Sequence, residues 1–311
     1  MSSIFRITTL QQTNTMIGFI ADNSNKYNDL LQEASSGIKV NEASDDPVAA
    51  NKILDYTSQI KTLEGYLSNI DSAQCELNTA DAVLDSLNEL VNKVKDYATQ
   101  AANDTYTQED LDSIKSSVDS IIDSIISYSN TTYNGKYVFS GTATSTETYS
   151  YTTDVNGNYT SITYNGTDND YERYTTISEG TTVPVNARGS DVFGYYNSAA
   201  DNSGLFGDLV TLSNALENGD TATIGTCMDG LNDDLDTIIS VQTELASVYN
   251  QMDMTHDSIE DTIINFTEYR SKLQDADLSE TLVELEATKV ALEASYTLTS
   301  EVLSMNLLKY L

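Results

Sequence analysis

The sequence has 311 residues, with 48 Asp and Glu against 15 Lys and Arg, a formal charge of −33 and a pI near 4.1. A surface this acidic lacks the basic footprint that nucleic acid and anionic membranes demand, so both are excluded as partners, and no apolar run reaches the roughly 18 residues needed to cross a bilayer. The length accommodates two or more structural units, and the charge surplus fits a saline habitat and plain solubility equally well.

The opening MSSIFRITTLQQTNTMIGFIADN lacks the basic start and continuous apolar core of a secretory leader, which by itself points to the cytoplasm. Residues 3–35 carry Ile4, Ile7, Leu10, Ile17, Ile20, Tyr27, Leu30, Leu31 and Ala34, an amphipathic stripe that predicts a helix. SSGIKVNEASDDPVAA then breaks the pattern. It stops at Gly37, runs extended, and restarts where Asp46 can cap the free N–H groups and Pro47 takes the first helical position.

From Pro47 a heptad takes over: Tyr56, Leu63, Ile70, Leu77, Leu84, Val91 and Ala98 recur every seven residues. Ile53, Ile60 and Leu67, then Ala73, Ala80, Leu87, Val94 and Ala101, complete the seam, with one phase shift at Leu67, Ile70 and Ala73. At ~1.5 Å per residue this coiled-coil-like helix is roughly 80 Å long. TYTQ at Thr105–Gln108 fits a capping box for a shorter helix with Leu111, Ile114, Val118, Ile121, Ile125 and Tyr128 on one face, predicted to fold back on the first.

Between 136 and 200 the runs KYVFS, TETYSYT, YTSITY, YERYTTI and TVPVNAR predict strands, with turns at Asn156-Gly157 and Asn165-Gly166. A second heptad follows over about 221–274: Ile224, Leu231, Ile238, Leu245, Met252, Ile259, Phe266 and Leu273. Residues 276–311 close the chain with another stripe, Leu278, Leu282, Leu285, Leu292, Tyr296 and Leu303, and then LLKYL.

Two seams of matching length pack most simply as an antiparallel pair. The expected fold is therefore mainly α with an inserted small β domain: a long antiparallel coiled-coil-like rod whose chain termini pair at its base. Residues 1–40 with 275–311 form the terminal helical unit, 41–135 with 205–274 the rod, and 136–204 the β-rich insert. The terminal pair is too small to hide both of its apolar stripes, so the uncovered part requires another subunit.

Reaction chemistry is not legible. There is no G-x-S-x-G elbow, Walker loop or G-x-G-x-x-G, and the abundant carboxylates read as solvated helix faces. His256, the one histidine, has no His or Cys cluster near it and reads as a seam residue. DVNGNY (154–159) has Tyr159 where a calcium loop needs glycine, so a hairpin turn is the better reading. Cys75 and Cys227 are expected as small buried or half-buried residues. No catalytic, cofactor-binding or metal-ligating set is assigned.

SSGIKVNEASDDPVAANKIL near the start, VNKVKDYATQAAND (91–104) and the closing DLSETLVELEATKVALEASYTLTSEVLSMNLLKYL together resemble the flagellin superfamily of bacterial flagella. The likeness covers about 1–141 and 205–311. Where filament flagellins usually follow Asp-Asp with Ala-Ala-Gly, this chain has Pro47-Val48-Ala49-Ala50. DDPVAA, NGKYVFSGT (134–142) and the final Leu-Leu-Lys-Tyr-Leu more closely resemble the hook-associated branch that joins hook and filament. A filament flagellin is the alternative, and an adhesin acting through the β insert is a reading of a different class.

The resemblance implies a structural subunit without enzymatic activity or cofactor, extracellular in the flagellum, exported unfolded without a cleaved leader through a narrow type III channel. Scarce Cys and Pro fit that route. Its implied partners are copies of itself, a neighbouring flagellar hook-associated protein, flagellin and an export chaperone, with neither nucleic acid nor membrane. Assembly is expected through Ile4, Ile7, Leu10, Ile17, Leu30, Leu31, Leu285, Leu292, Leu303, Leu307, Leu308 and Leu311, with Gly37, Asp46 and Pro47 as hinge and helix cap. The break would join an inner assembly helix to an outer rod helix at a different radius, and the segment before Gly37 would be mobile in a lone molecule. Lys93 and Lys95 stand where flagellins often carry arginines read by an innate immune receptor. Lysine does not replace arginine at a bidentate site, so they read as solvated surface lysines.

Overall fold

The computed structural model describes residues 9–103, 106–166, 173–198 and 202–307. In chain order they form α1 (Thr9–Ser36), α2 (Pro47–Ala101), α3 (Gln108–Ser129), β1 (Thr132–Tyr133), β2 (Lys136–Tyr137), β3 (Tyr149–Thr153), β4 (Tyr159–Tyr164), β5 (Tyr174–Ser178), β6 (Thr181–Pro184), α4 (Gly189–Phe193), β7 (Tyr195–Asn197), β8 (Asn202–Ser203), α5 (Gly204–Asn218), α6 (Thr221–Gln274) and α7 (Leu278–Leu307). The fold is mainly helical with a small antiparallel β region, as expected. Two compact units divide it, Met1–Thr62 with Thr262–Leu311 and Leu63–Asp261, and α2 and α6 contribute to each.

In the first unit α1 ends where Gly37 turns left-handed, at φ 71°. The chain then runs extended against the α6–α7 connection: Lys39 N–H donates to Gln274 O at 2.7 Å, Ala276 N–H donates to Gly37 O at 2.9 Å, and Ile38 bridges Asp275. The extended run is shorter than the sequence suggests. A turn takes over in which Asp45 Oδ2 accepts from the N–H groups of Asn41 and Glu42 at 2.9 and 2.8 Å. Asp46 Oδ1 then accepts from Val48 and Ala49 N–H at 2.9 and 3.0 Å, and Pro47 opens α2, so the cap and the start fall where the sequence puts them. Here Tyr56 of α2 meets Phe266 and Tyr269 of α6, ring centroids 5.6 and 6.0 Å apart.

In the second unit the heptads become a buried seam. Ile70, Leu77, Leu84, Leu87, Val91, Val94 and Ala98 of α2, and Ile224, Leu231, Ile238, Leu245 and Met252 of α6, are all buried. The helices are antiparallel: His256 faces Asp71, while Asn88 Nδ2 donates to Gln242 Oε1 at 3.0 Å, so residue numbers fall on one helix as they rise on the other.

The capping box of α3 lies two residues later than the sequence reading placed it. Thr107 is the N-cap and Asp110, not Gln108, returns the bond, because a carboxylate at the third helical position accepts from the cap N–H. Gln108 instead sends Nε2 to the Leu216 and Glu217 carbonyls, closing the end of α5. Helix α5 was not foreseen; it packs on α3, and Ser213 Oγ donates to Asp119 Oδ1 at 2.5 Å.

Strands β3, β4, β7 and β8 make one antiparallel sheet in that order, with β5–β6 and β1–β2 as separate hairpins. Asn156-Gly157 does form the β3–β4 turn: Gly157 has φ 91°, and Asp154 Oδ1 accepts from Asn156 and Asn158 N–H at 2.8 and 2.9 Å. That carboxylate serves its own turn, which agrees with the hairpin reading of DVNGNY. Asn165-Gly166 does not join sheet neighbours, since β4 pairs next with β7. Cys75 is exposed rather than buried, whereas Cys227 is buried.

Tyr149, Phe139, Phe193 and Phe206 form the aromatic core of the β region; Tyr149 is fully buried and its hydroxyl donates toward the Gly194 and Gly189 carbonyls at 2.8 and 3.0 Å. Gly194 is required there. Its φ of 63° and ψ of −150° are nearly closed to residues with a Cβ, and a Cβ would lie 1.9 Å from Ser203 O. Gly194→Ala is expected to destabilise the second unit by roughly 3 kcal/mol from strain and clash together, read as a lowered denaturant midpoint. Asp46→Ala removes two capping bonds and is expected to cost about 1 kcal/mol, checked by thermal unfolding at neutral pH.

Candidate assembly face

Helices α1 and α7 lie antiparallel along each other. Thr281 Oγ1 donates to Glu33 Oε1 at 3.1 Å, Lys26 pairs with Glu284 at 3.3 Å, and Asn23 Nδ2 donates to Ser295 Oγ at 3.4 Å. The exposed Lys26–Glu284 pair contributes little, since solvent screens it. From α7 the shared face takes Thr281, Leu285, Thr288, Leu292, Ser295 and Thr299, spaced four and three apart. From α1 it takes Ile20, Asn23, Tyr27, Leu30 and Ala34, of which Leu30 is 8% exposed.

The rest of α7 remains apolar. Val283 is 71% exposed and Val290 63%, and at 100° per residue both lie opposite the Thr–Leu face. Leu278, Leu282, Tyr296 and Leu298 are exposed as well, and α1 adds Ile17, Phe19 and Leu31. More than half of the large apolar side chains exposed among the described residues fall in this smaller unit. These apolar side chains alternate with Glu286, Lys289, Glu293 and Thr297 on the outer side of α7, so the pairing with α1 leaves substantial apolar surface in water.

The residues expected to drive assembly therefore split. Leu30, Leu285 and Leu292 serve the intrachain seam, whereas Ile17 and Leu31 stand on the open face. Leu10 belongs to α1, and Leu303 and Leu307 to α7; Ile4, Ile7, Leu308 and Leu311 lie outside the described residues. Sequence reasoning missed Phe19, Val283, Val290 and Leu298. They fall off the three-four stripe, and for Val283, Val290 and Leu298 the signal is the surplus of apolar residues in ETLVELEATKVALEASYTL.

His256 is half-buried beside the α2–α6 seam, with Nε2 3.6 Å from Asp71 Oδ1. Asp257 and Glu260 bring carboxylates to the same turn, all three ligand atoms within 4.8 Å, but both are solvent-exposed side chains of one acidic helix face. Among the described residues, no helix is long and apolar enough to cross a membrane.

The fold defines a flagellin-type subunit. The bacterial flagellin N-terminal helical region matches residues 7–144 and the bacterial flagellin C-terminal helical region matches 228–311, so the chain belongs to the flagellin family. It is 22% identical to flagellar hook-associated protein 3 of Escherichia coli (strain K12) over 284 residues, covering 85% of this chain and 86% of that one. It is 24% identical to the flagellin of Bacillus subtilis (strain 168) over 296 residues, covering 93% and 92%. The crystal structure of flagellar hook-associated protein 3 from Legionella pneumophila superposes with a TM-score of 0.60 at 16% identity, over 71% of this chain and 98% of that one. The chain is a structural flagellar protein, not an enzyme.

Because Leu30 is buried against α7 and Val290 is not, the two should respond differently to truncation. Leu30→Ala is expected to cost about 2–3 kcal/mol and to raise amide exchange along α1 and α7, whereas Val290→Ala changes monomer stability by less than about 0.5 kcal/mol.

Proposed function

We propose that this chain is a subunit that associates with copies of itself through the outer faces of α1 and α7 and joins hook to filament. In that position it contacts a neighbouring hook-associated protein on one side and flagellin on the other. The observation that carries the reading is the apolar face of α7 turned away from α1. The junction position is supported by DDPVAA, NGKYVFSGT and the closing LLKYL, and by a likeness to hook-associated protein 3 that spans most of both chains.

In the assembly, Ile4, Ile7, Leu10, Leu303, Leu307, Leu308 and Leu311 extend the contact made by Ile17 and Leu31, while Leu30, Leu285 and Leu292 hold α1 and α7 together as one unit. Gly37, Asp46 and Pro47 pass the chain from assembly helix to seam helix. The subunit reaches an extracellular position in the flagellum through a type III channel, escorted by a chaperone that shields the same apolar faces. The 1–40 with 275–311 division is then the assembly domain, and 136–204 the β-rich insert.

The double variant Val283→Asp, Val290→Asp separates assembly from folding. Expressed in a strain lacking the native protein, it is expected to keep wild-type helicity and unfolding in isolation, yet to lose filament attachment and motility. Retained attachment with two buried aspartates at that face would sink the proposal. Because each subunit carries a formal charge of −33, self-association should also strengthen with salt, which screens repulsion beyond ~10 Å at 0.1 M. Sedimentation of the wild type across ionic strengths measures this directly.

A further inference from the structure

Helix α5 meets α6 through two carboxyl groups. Asp234 on α6 is 8% exposed, and its Oδ2 finds no hydrogen-bond partner. Across from it stands Asp208 on α5, half-buried, whose charge acts on Asp234. The approach depends on Gly230, one turn before Asp234. A Cβ there would sit 2.1 Å from Asp208 Oδ2, so glycine lets that carboxyl lie against α6.

Near this pair neither helix supplies a counter-charge. Residues 204–218 and 221–255 contain no Lys, Arg or His. On α6 the neighbouring ionisable groups are Asp233 and Cys227, with Asp220 at the start of the helix. On α3, packed against α5, Asp119 accepts the Ser213 hydroxyl. On α2 the lysines nearest in register, Lys93 and Lys95, are not among the charges acting on either carboxyl.

Two carboxyls about one turn of α6 apart on such a buried face, with no counter-charge beside them, do not both stay ionised. We propose that Asp208 and Asp234 share a single proton, and that this proton latches α5 onto α6 beside the β region. Burial first, and then the facing Asp208 charge, push Asp234 up to about 7; burial raises Asp208 as well. The folded state therefore binds the proton more tightly than the unfolded chain. The latch is at full strength below the ordinary carboxylate range and is lost as pH rises to and through neutrality. Above that point two like charges face each other and α5 is held less firmly.

The test uses the full chain. Thermal unfolding is followed at pH 5 and pH 8 for the wild type, Asp234→Asn, Asp208→Asn and Asp236→Asn, the last removing the same charge from an exposed position. The wild type and Asp236→Asn are expected to lose several degrees between the two pH values. Both pair variants should lose much less, because an amide donates to the remaining carboxylate at every pH. Independently of any variant's stability, the wild type at pH 6 should show the infrared carbonyl band of a protonated carboxyl, absent from Asp234→Asn. Equal pH losses in all four proteins, or no such band, would overturn the latch. So would recovery at pH 8 on adding calcium to the wild type but not to Asp234→Asn, which would assign the pair to a cation.

Discussion

Two helices laid side by side share one face, and whatever apolar surface either carries elsewhere stays in water unless something else covers it. That constraint governs the first unit. Helix α7 gives α1 a narrow face of Thr281, Leu285, Thr288, Leu292 and Ser295 and keeps Val283, Val290 and Leu298 outside. The hydrophobic effect scales with area removed from water, at about 25 cal/mol per Å². The outer side of α7 therefore keeps apolar area in water, and covering it is what the proposed assembly would contribute.

The long helices solve the opposite problem. Within the second unit their heptads turn the large apolar residues inward, and Leu84, Leu87, Val91 and Ile238 are wholly buried. The polar contacts are few and specific: the Asn88–Gln242 bond, with Gln242 also reaching Asp85 at 2.8 Å, fixes register where an all-leucine seam would slide. The phase shift at Leu67, Ile70 and Ala73 lies close to Leu63, where the second unit begins on α2.

Strong periodicity made the helices legible. The bounds of α2 and α6 follow from Pro47 and from heptads that continue, with one phase shift at Leu67–Ala73, to Ala101 and Leu273. What stayed hidden has local physical causes. Leu205, Leu209, Leu212 and Leu216 trace α5, with Gly219 at its end, but the segment follows a β-rich run and is short enough to read as its continuation. The capping box slipped because TYTQ and TQED overlap, and only the folded backbone decides which threonine has the extended φ and ψ of a cap. Cys75 is a small residue in a helical pattern, and burial there depends on which side of the seam it falls. For the assembly face, the sequence shows that apolar residues exceed what one pair can hide. It does not show which of them the pair hides.

The chemistry of the α1–α7 seam follows from that division. Thr281 and Thr288 are buried where leucines would have given a tighter pair, and Ser295 spends its hydroxyl on the Ala291 carbonyl of its own helix at 2.7 Å. A threonine contributes fewer apolar atoms than leucine, and its hydroxyl must be satisfied within the seam. The pair is thus held firmly enough by Leu30, Leu285 and Leu292 to present an ordered outer face, yet gains little by curling further around itself. The largest uncovered apolar residues point outward on both helices, so rearranging α1 against α7 cannot cover them, and under the proposed assembly a neighbouring copy takes that role.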